Sequence, residues 1–199
     1  MTGLRRGIVK MKLKDYILCA IFAAFIAVLA QVQIPLPFTP IPISLAVLAV
    51  LVTGGLLGVK RSLISIVVYI LLGIIGIPVF AGFQGGPNVL VGPTGGYIIG
   101  YIPLIIIVAA FTSYATNKAK ERGWPAYKKV ILLVAGAVVG ILFLYALGTT
   151  WFMISTGRTL VEALAMCVVP FIPGEIIKIV AFTLIMAALK KHIDRLFAS

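Results

Sequence analysis

The sequence predicts an all-α membrane protein with six transmembrane helices, and three observations point there. Of 199 residues, 62% are hydrophobic and only 11% charged, whereas a soluble domain is roughly 45–50% apolar. The apolar residues come in runs that suit a hydrocarbon core of about 30 Å. The basic residues, which give a net charge of +12, fall in short clusters between those runs and not along one amphipathic face. They therefore report topology; the expected surroundings are a lipid bilayer, and no nucleic-acid partner is expected. The chain reads as a single integral-membrane domain over residues 1–199, with residues 1–14 a basic N-terminal segment.

Arg5, Arg6, Lys10, Lys12 and Lys14 precede span one, residues 16–32. This start imitates a secretory signal, but no A-x-A site follows the apolar run and further spans do, so the helix is expected to be retained. Ala20, Ala23, Ala24 and Ala27 form overlapping small-xxx-small pairs that let another helix approach closely, within this chain or from a partner. Residues 33–43 hold four prolines and no charge, so they cannot be helical. They form either a proline-stiffened lid over the outer mouth of the bundle or a plain short connection.

Span two covers residues 43–57, and Gly54, Gly55 and Gly58 with Lys60 and Arg61 are expected to turn the chain into span three, residues 62–75. Both are short, which places non-helical backbone beside them, buried in protein. Residues 77–93 are that kind of segment, glycine-rich and uncharged, suited to close approach of backbone to a ligand. Their amides, Gln84 and Asn88, can donate and accept, or close turns. Gly92, Pro93, Thr94, Gly95, Gly96 and Tyr97 open span four, residues 95–113. A basic segment with Lys118, Lys120, Glu121, Arg122, Lys128 and Lys129 leads to span five, residues 130–151, where Gly136 and Gly140 are another small pair. After a polar link with Arg158, residues 163–189 would form a helix of about 40 Å. Pro170, Pro173 and Gly174 are expected to break it, leaving a final helix over residues 174–190 and a basic tail of Lys190, Lys191, His192 and Arg195.

Six spans put both termini on one side, and fifteen of the seventeen lysines and arginines share that side. By the positive-inside rule it is cytoplasmic. Arg158 and Lys178 are the exceptions. Glu175 and Lys178 stand three apart on one helix face, in an apolar stretch where a charge costs roughly 2.5–3.5 kcal/mol and normally has a partner. The plainer alternative is a helix-start glutamate favoured by the dipole and a lysine that snorkels outward. Twelve residues, about 18 Å, separate Lys178 from Lys190, too far for its stem to reach the cytoplasmic edge. Glu175 would then face the proline-rich segment, the glycine-rich segment and the Arg158 link around one outward-facing pocket. An apolar pocket with a few placed polar groups suits a small molecule, here an amphiphilic acid with N–H donors for Glu175 and an anionic group for Lys178.

No catalytic constellation is present: neither H-E-x-x-H nor G-x-S-x-G occurs. Cys19 and Cys167 lie alone in apolar segments, and His192 cannot build a metal site by itself, so neither an enzyme nor a metal or cofactor is expected. Without a G-x-x-x-x-G-K-[ST] phosphate loop the chain cannot use ATP unaided, so energy must come from a partner or from an ion gradient acting through Glu175.

Four segments in order, PLPFTPIPISLAVLAVLVTGGLLG (35–58), GIPVFAGFQGG (76–86), GPTGGY (92–97) and PFIPGEIIK (170–178), resemble the BioY family over nearly the whole chain. Its members are biotin-binding S components of energy-coupling factor (ECF) transporters. The resemblance implies an S-component bundle in a prokaryotic plasma membrane, with capture of biotin from outside as cargo and not as a prosthetic group. A transmembrane coupling subunit and two ATPase subunits would be its partners. The acid of the family's P-G-[DE]-x-x-K segment falls on Glu175 and its lysine on Lys178; many members carry Asp where this chain has Glu175. The glycine-rich loop would supply an amide, Asn88 before Gln84, and the GPTGGY segment would add Thr94 and Tyr97. Ala20, Ala23, Ala24 and Ala27 match the surface that S components turn to the coupling subunit. Two rival readings stand beside this one: a proton-coupled carrier in which Glu175 titrates, and an S component for another vitamin.

Overall fold

Two of the long helices end at glycines with positive φ, Gly123 and Gly157. The computed structural model describes residues 11–198, with side chains except those of Lys120 and residues 190–198. Arg5, Arg6 and Lys10 therefore lie outside the described residues, as do the side chains of Lys190, Lys191, His192 and Arg195. The order is α1 (Leu13–Gln31), β1 (Gln33–Leu36), β2 (Thr39–Ser44), α2 (Ala46–Ile74), α3 (Pro87–Val91), α4 (Gly95–Arg122), α5 (Ala126–Thr156), α6 (Leu160–Cys167), a 3-10 turn (Val169–Phe171) and α7 (Ile172–Ala198).

Among the described residues, five stretches are long and apolar enough to cross a membrane: α1, α2, most of α4, α5 and the run from α6 into α7. Inside α2, Gly58 takes φ 73° and ψ 172°, a conformation open to glycine and costly for other residues. It divides α2 into arms 46–57 and 59–74. Leu45 N–H donates to the Val32 carbonyl at 3.0 Å, so arm one starts beside the end of α1. Asp15 holds Arg61 at 3.0 Å, so arm two starts beside the beginning of α1. The arms are therefore antiparallel, and the multi-pass chain crosses six times. Lys12, Lys14, Lys60, Arg61, Lys118 and Lys128 gather at one end of the bundle, and the hairpin and the loop 75–86 at the other.

Gly54 and Gly55, expected in the turn, lie within arm one as packing positions. A Cβ on Gly54 would sit 3.0 Å from the Ile105 carbonyl of α4, and one on Gly55 2.8 Å from the Phe182 ring of α7. The pair Gly136 and Gly140 likewise serves contacts within the chain, against Phe111 and Leu104 of α4. Gly100 faces Leu144, and Gly148 lies against the Tyr97 ring. Small residues matter here because apolar side chains gain little by leaving lipid for one another, so close approach and dispersion hold the helices together.

Residues 33–44 are an antiparallel hairpin, pairing Gln33 with Ser44 and Ile34 with Ile43, in an otherwise helical bundle. A lone hairpin has only edge strands, where proline is tolerated. The basic segment after span four is largely helical: α4 runs on to Arg122, Gly123 at φ 59° ends it, and α5 begins at Ala126. The break near Pro170 is present as the 3-10 turn. The last helix, however, starts at Ile172 and not Gly174, with Pro173 and Gly174 inside its first turn. Proline fits there because a first-turn N–H has no helical acceptor to lose.

Gly148→Ala would drive a Cβ into the Tyr97 ring. The expected cost is about 1–3 kcal/mol, measurable as a lowered thermal unfolding midpoint in detergent.

Candidate ligand site

Two adjoining cavities open at the end of the bundle away from the basic clusters. The larger, about 310 Å³, lies between the hairpin (Gln33, Thr39, Pro42, Ser44), Tyr69 of arm two, the loop residues Phe80, Gly82 and Gln84, and Thr94, Tyr97 and Tyr101. The smaller, about 50 Å³, shares Ile41, Pro42, Ser44, Tyr97 and Tyr101 with it and adds Tyr145, Cys167, Phe171, Glu175 and Lys178. The larger is near the lower bound of small-molecule pockets, about 300 Å³. The proline-rich segment is thus a cavity wall and not a plain connection.

The acid and base meet. Lys178 Nζ donates to Glu175 Oε1 at 2.8 Å, and the Tyr145 hydroxyl donates to the same oxygen at 3.3 Å. Glu175 is 6% exposed and Lys178 5%, which rules out a snorkelling lysine. Glu175 Oε2 is buried with no hydrogen-bond partner among the described residues. An unpaired buried acceptor costs about 1–3 kcal/mol, and this one lies beside a cavity. An N–H donor from a ligand would satisfy it. A lysine ammonium carries three donors, so Lys178 can hold Glu175 and still meet an anionic or carbonyl oxygen. Around the pair the wall is aromatic: the Tyr97 and Tyr145 rings pack edge to face at 6.2 Å, and the Tyr97 hydroxyl shares a 3.3 Å hydrogen bond with Thr149.

The glycine-rich loop makes its wall by turning tightly. Gly82 (φ 73°), Phe83 (φ 57°) and Gly86 (φ 95°) all have positive φ, and Phe80 and Gln84 exchange backbone hydrogen bonds at 3.0 and 3.2 Å. The buried Phe80 ring anchors the turn edge to face on Tyr69, 5.6 Å away.

Of the residues singled out from sequence, Glu175, Lys178, Gln84, Thr94 and Tyr97 line the cavities. Asn88 does not; it is exposed on α3, which leaves Gln84 as the glycine-rich loop's amide on the wall. Arg158 also departs from expectation, since it pairs with Glu162 at 3.2 Å on the exposed surface and lines neither cavity. The four alanines of α1 do not share one outward face. Ala23 is 1% exposed and packs in the core, Ala20 and Ala24 are exposed, and Ala27 is half-buried. Sequence reasoning missed Gln33, whose buried Oε1 has no partner among the described residues, as well as Tyr101 and Tyr145. A signal existed: Gln31 and Gln33 are amides that bracket the end of an apolar span, and Tyr101 stands one turn after Tyr97.

The sequence pattern of the BioY family matches residues 5–195. The biotin transporter BioY of Thermotoga maritima is 35% identical over 180 residues, covering 90% of this chain and 97% of that protein. The probable biotin transporter BioY of Pyrococcus horikoshii is 37% identical over 168 residues, covering 84% and 91%. Among solved structures, the crystal structure of the S-component for biotin from an ECF-type ABC transporter superposes with a TM-score of 0.77 at 28% identity, over 96% of this chain and 95% of that one.

Truncating one member of the buried pair, as in Lys178→Ala, is expected to cost about 3–5 kcal/mol, whereas replacing both by methionine should be near neutral or stabilising. Thermal unfolding of the single and double variants in detergent checks the contrast.

Proposed function

This chain belongs to the BioY family, and on that premise we propose that it captures biotin in the paired cavities for uptake as the S component of an ECF transporter. The observation that supports this reading best is Glu175 Oε2, a buried acceptor without a partner among the described residues, in a pocket of aromatic and aliphatic walls. Biotin has the complementary chemistry: a ureido ring with two N–H donors, an apolar thiophane ring and chain, and a carboxylate. Glu175 accepts a ureido N–H, while Lys178 neutralises Glu175 or the ligand. Gln84 supplies the amide contact, with Asn88 the alternative that sequence favours, and Thr94 and Tyr97 complete the wall. The chain moves biotin without transforming it, so no group in the site serves as nucleophile and no prosthetic group is invoked.

The basic end faces the cytoplasm by the positive-inside rule, which puts both termini inside and the cavities outside the cell membrane of a prokaryote. Energy then comes from a transmembrane coupling subunit and two ATPase subunits, since the chain has no phosphate loop of its own. Ala20 and Ala24, the exposed small residues of α1, give the coupling subunit its approach, with Ala27 at the margin and Ala23 committed to the core.

Isothermal titration of the detergent-purified protein with biotin tests the reading. Nanomolar-range binding is expected, weakened about tenfold or more, equivalent to about 1.4 kcal/mol, by Glu175→Gln and by Lys178→Ala. Affinities of both variants within about twofold of the unaltered chain would overturn the assignment of the pair. No binding by the folded, ligand-free chain would overturn biotin as the ligand. Gln84→Ala is expected to weaken binding more than Asn88→Ala.

A further inference from the structure

Gln31, the last residue of α1, directs its whole side chain at the loop that walls the larger cavity. The two N–H donors of its Nε2 are shared among three carbonyls, Val79 at 3.1 Å, Phe80 at 3.2 Å and, in its own helix, Ala27 at 3.0 Å. Its Oε1 accepts from Phe83 N–H at 2.8 Å. One amide thus grips both limbs of the tight turn 80–84, whose Phe80, Gly82 and Gln84 line the cavity.

The two limbs differ in what else holds them. Phe80 is 1% exposed, with its ring packed on Tyr69 and over Gly73. Beyond the turn, Gly86 N–H donates to the Gly73 carbonyl at 2.7 Å. The tip has neither kind of anchor. Phe83 is 72% exposed and sits at φ 57°, a left-handed conformation that a non-glycine residue does not prefer. Burial of its side chain does not hold it there; the Phe80–Gln84 backbone pair closes the turn on itself, and the Gln31 hydrogen bond ties its tip to α1. Across the cavity the hairpin is stiffened by Pro35, Pro40 and Pro42 and paired strand to strand, and proline restricts the backbone of each. The loop tip is therefore the wall with least to keep it in place once Gln31 lets go.

We infer that Gln31 is a positioning residue that latches the turn 80–84 to α1 and thereby sets how long a ligand stays in the cavity. It touches no ligand itself; it acts through the backbone of Val79, Phe80 and Phe83. The inference rests on the biotin reading for its kinetic probe only, because the latch is present in the ligand-free chain.

Gln31→Leu keeps the bulk and removes every one of these contacts. Hydrogen exchange of the ligand-free protein should then speed up at residues 80–84, Phe83 above all, with the core of α4 unchanged. The dissociation rate of biotin should rise about tenfold, the value of roughly one net hydrogen bond, while the association rate changes by less than about threefold. A role confined to general stability would spread faster exchange over the bundle and leave the ratio of the two rates alone. Gln31→Glu retains an acceptor for Phe83 but sets a carboxylate oxygen against the three carbonyls in place of the donor; it should release biotin at least as fast as Gln31→Leu, and it decides the matter if Gln31→Leu does not fold. Val28→Ala, on the exposed face of the same helix, should match the unaltered chain. Unaltered exchange at Phe83 and unaltered dissociation would overturn the latch. An unaltered chain that binds no biotin would overturn the ligand reading instead, and exchange at Phe83 would still decide the latch.

Discussion

A carboxylate and an ammonium 2.8 Å apart, on residues 6% and 5% exposed, set the terms for the cavity end of this bundle. In an apolar medium neither charge is tolerable alone, and even together they give up more hydration than a simple pair regains. The surroundings supply what is missing. Tyr145 gives Glu175 a second donor, and α4, α5 and the 3-10 turn close around the pair with Tyr97, Tyr101, Leu144 and Phe171. The walls beyond are non-helical, a hairpin and a glycine-rich turn, and irregular backbone at membrane depth is tolerated only where protein shields it or a cavity borders it. The short arms of α2 make room for both segments.

The helices around that site are held by close approach more than by bulk. At Gly96, Gly100, Gly140 and Gly148 the facing chain lies where a Cβ would otherwise be. At Gly148 the neighbour is the Tyr97 ring, which also walls both cavities. Packing of α4 on α5 and the shape of the pocket are therefore one constraint, and a rotation of either helix would be felt as a change in pocket width.

The crossings, the shared side of the basic clusters and the Glu175–Lys178 pair were legible because each follows from composition or from spacing along one chain. What sequence could not supply was rotation and strain. Four alanines at helical spacing announce a small face, but only the azimuth of α1 assigns Ala23 to the core and Ala24 to the surface. Gly54 and Gly55 look like a turn beside Gly58 until the neighbours at Ile105 and Phe182 are seen. That Gln84 and not Asn88 lines the cavity goes with a turn built on a left-handed phenylalanine, since no rule of residue preference places Phe83 at φ 57°. Arg158 resembled a site residue by its isolation, yet Glu162 one turn on was its nearer claim.

Both members of the buried pair belong to the first turns of one helix, and this bears on biogenesis. A charge whose partner lies on another helix must enter the bilayer exposed and wait for the bundle to assemble around it. Glu175 and Lys178 stand three residues apart and can join as soon as α7 is helical. The segment can thus leave the insertion machinery with its opposite charges already neutralised and at a lower transfer cost than two separate ions. The paired charges are then carried into place by the helix that bears them, ahead of the fold that later encloses them.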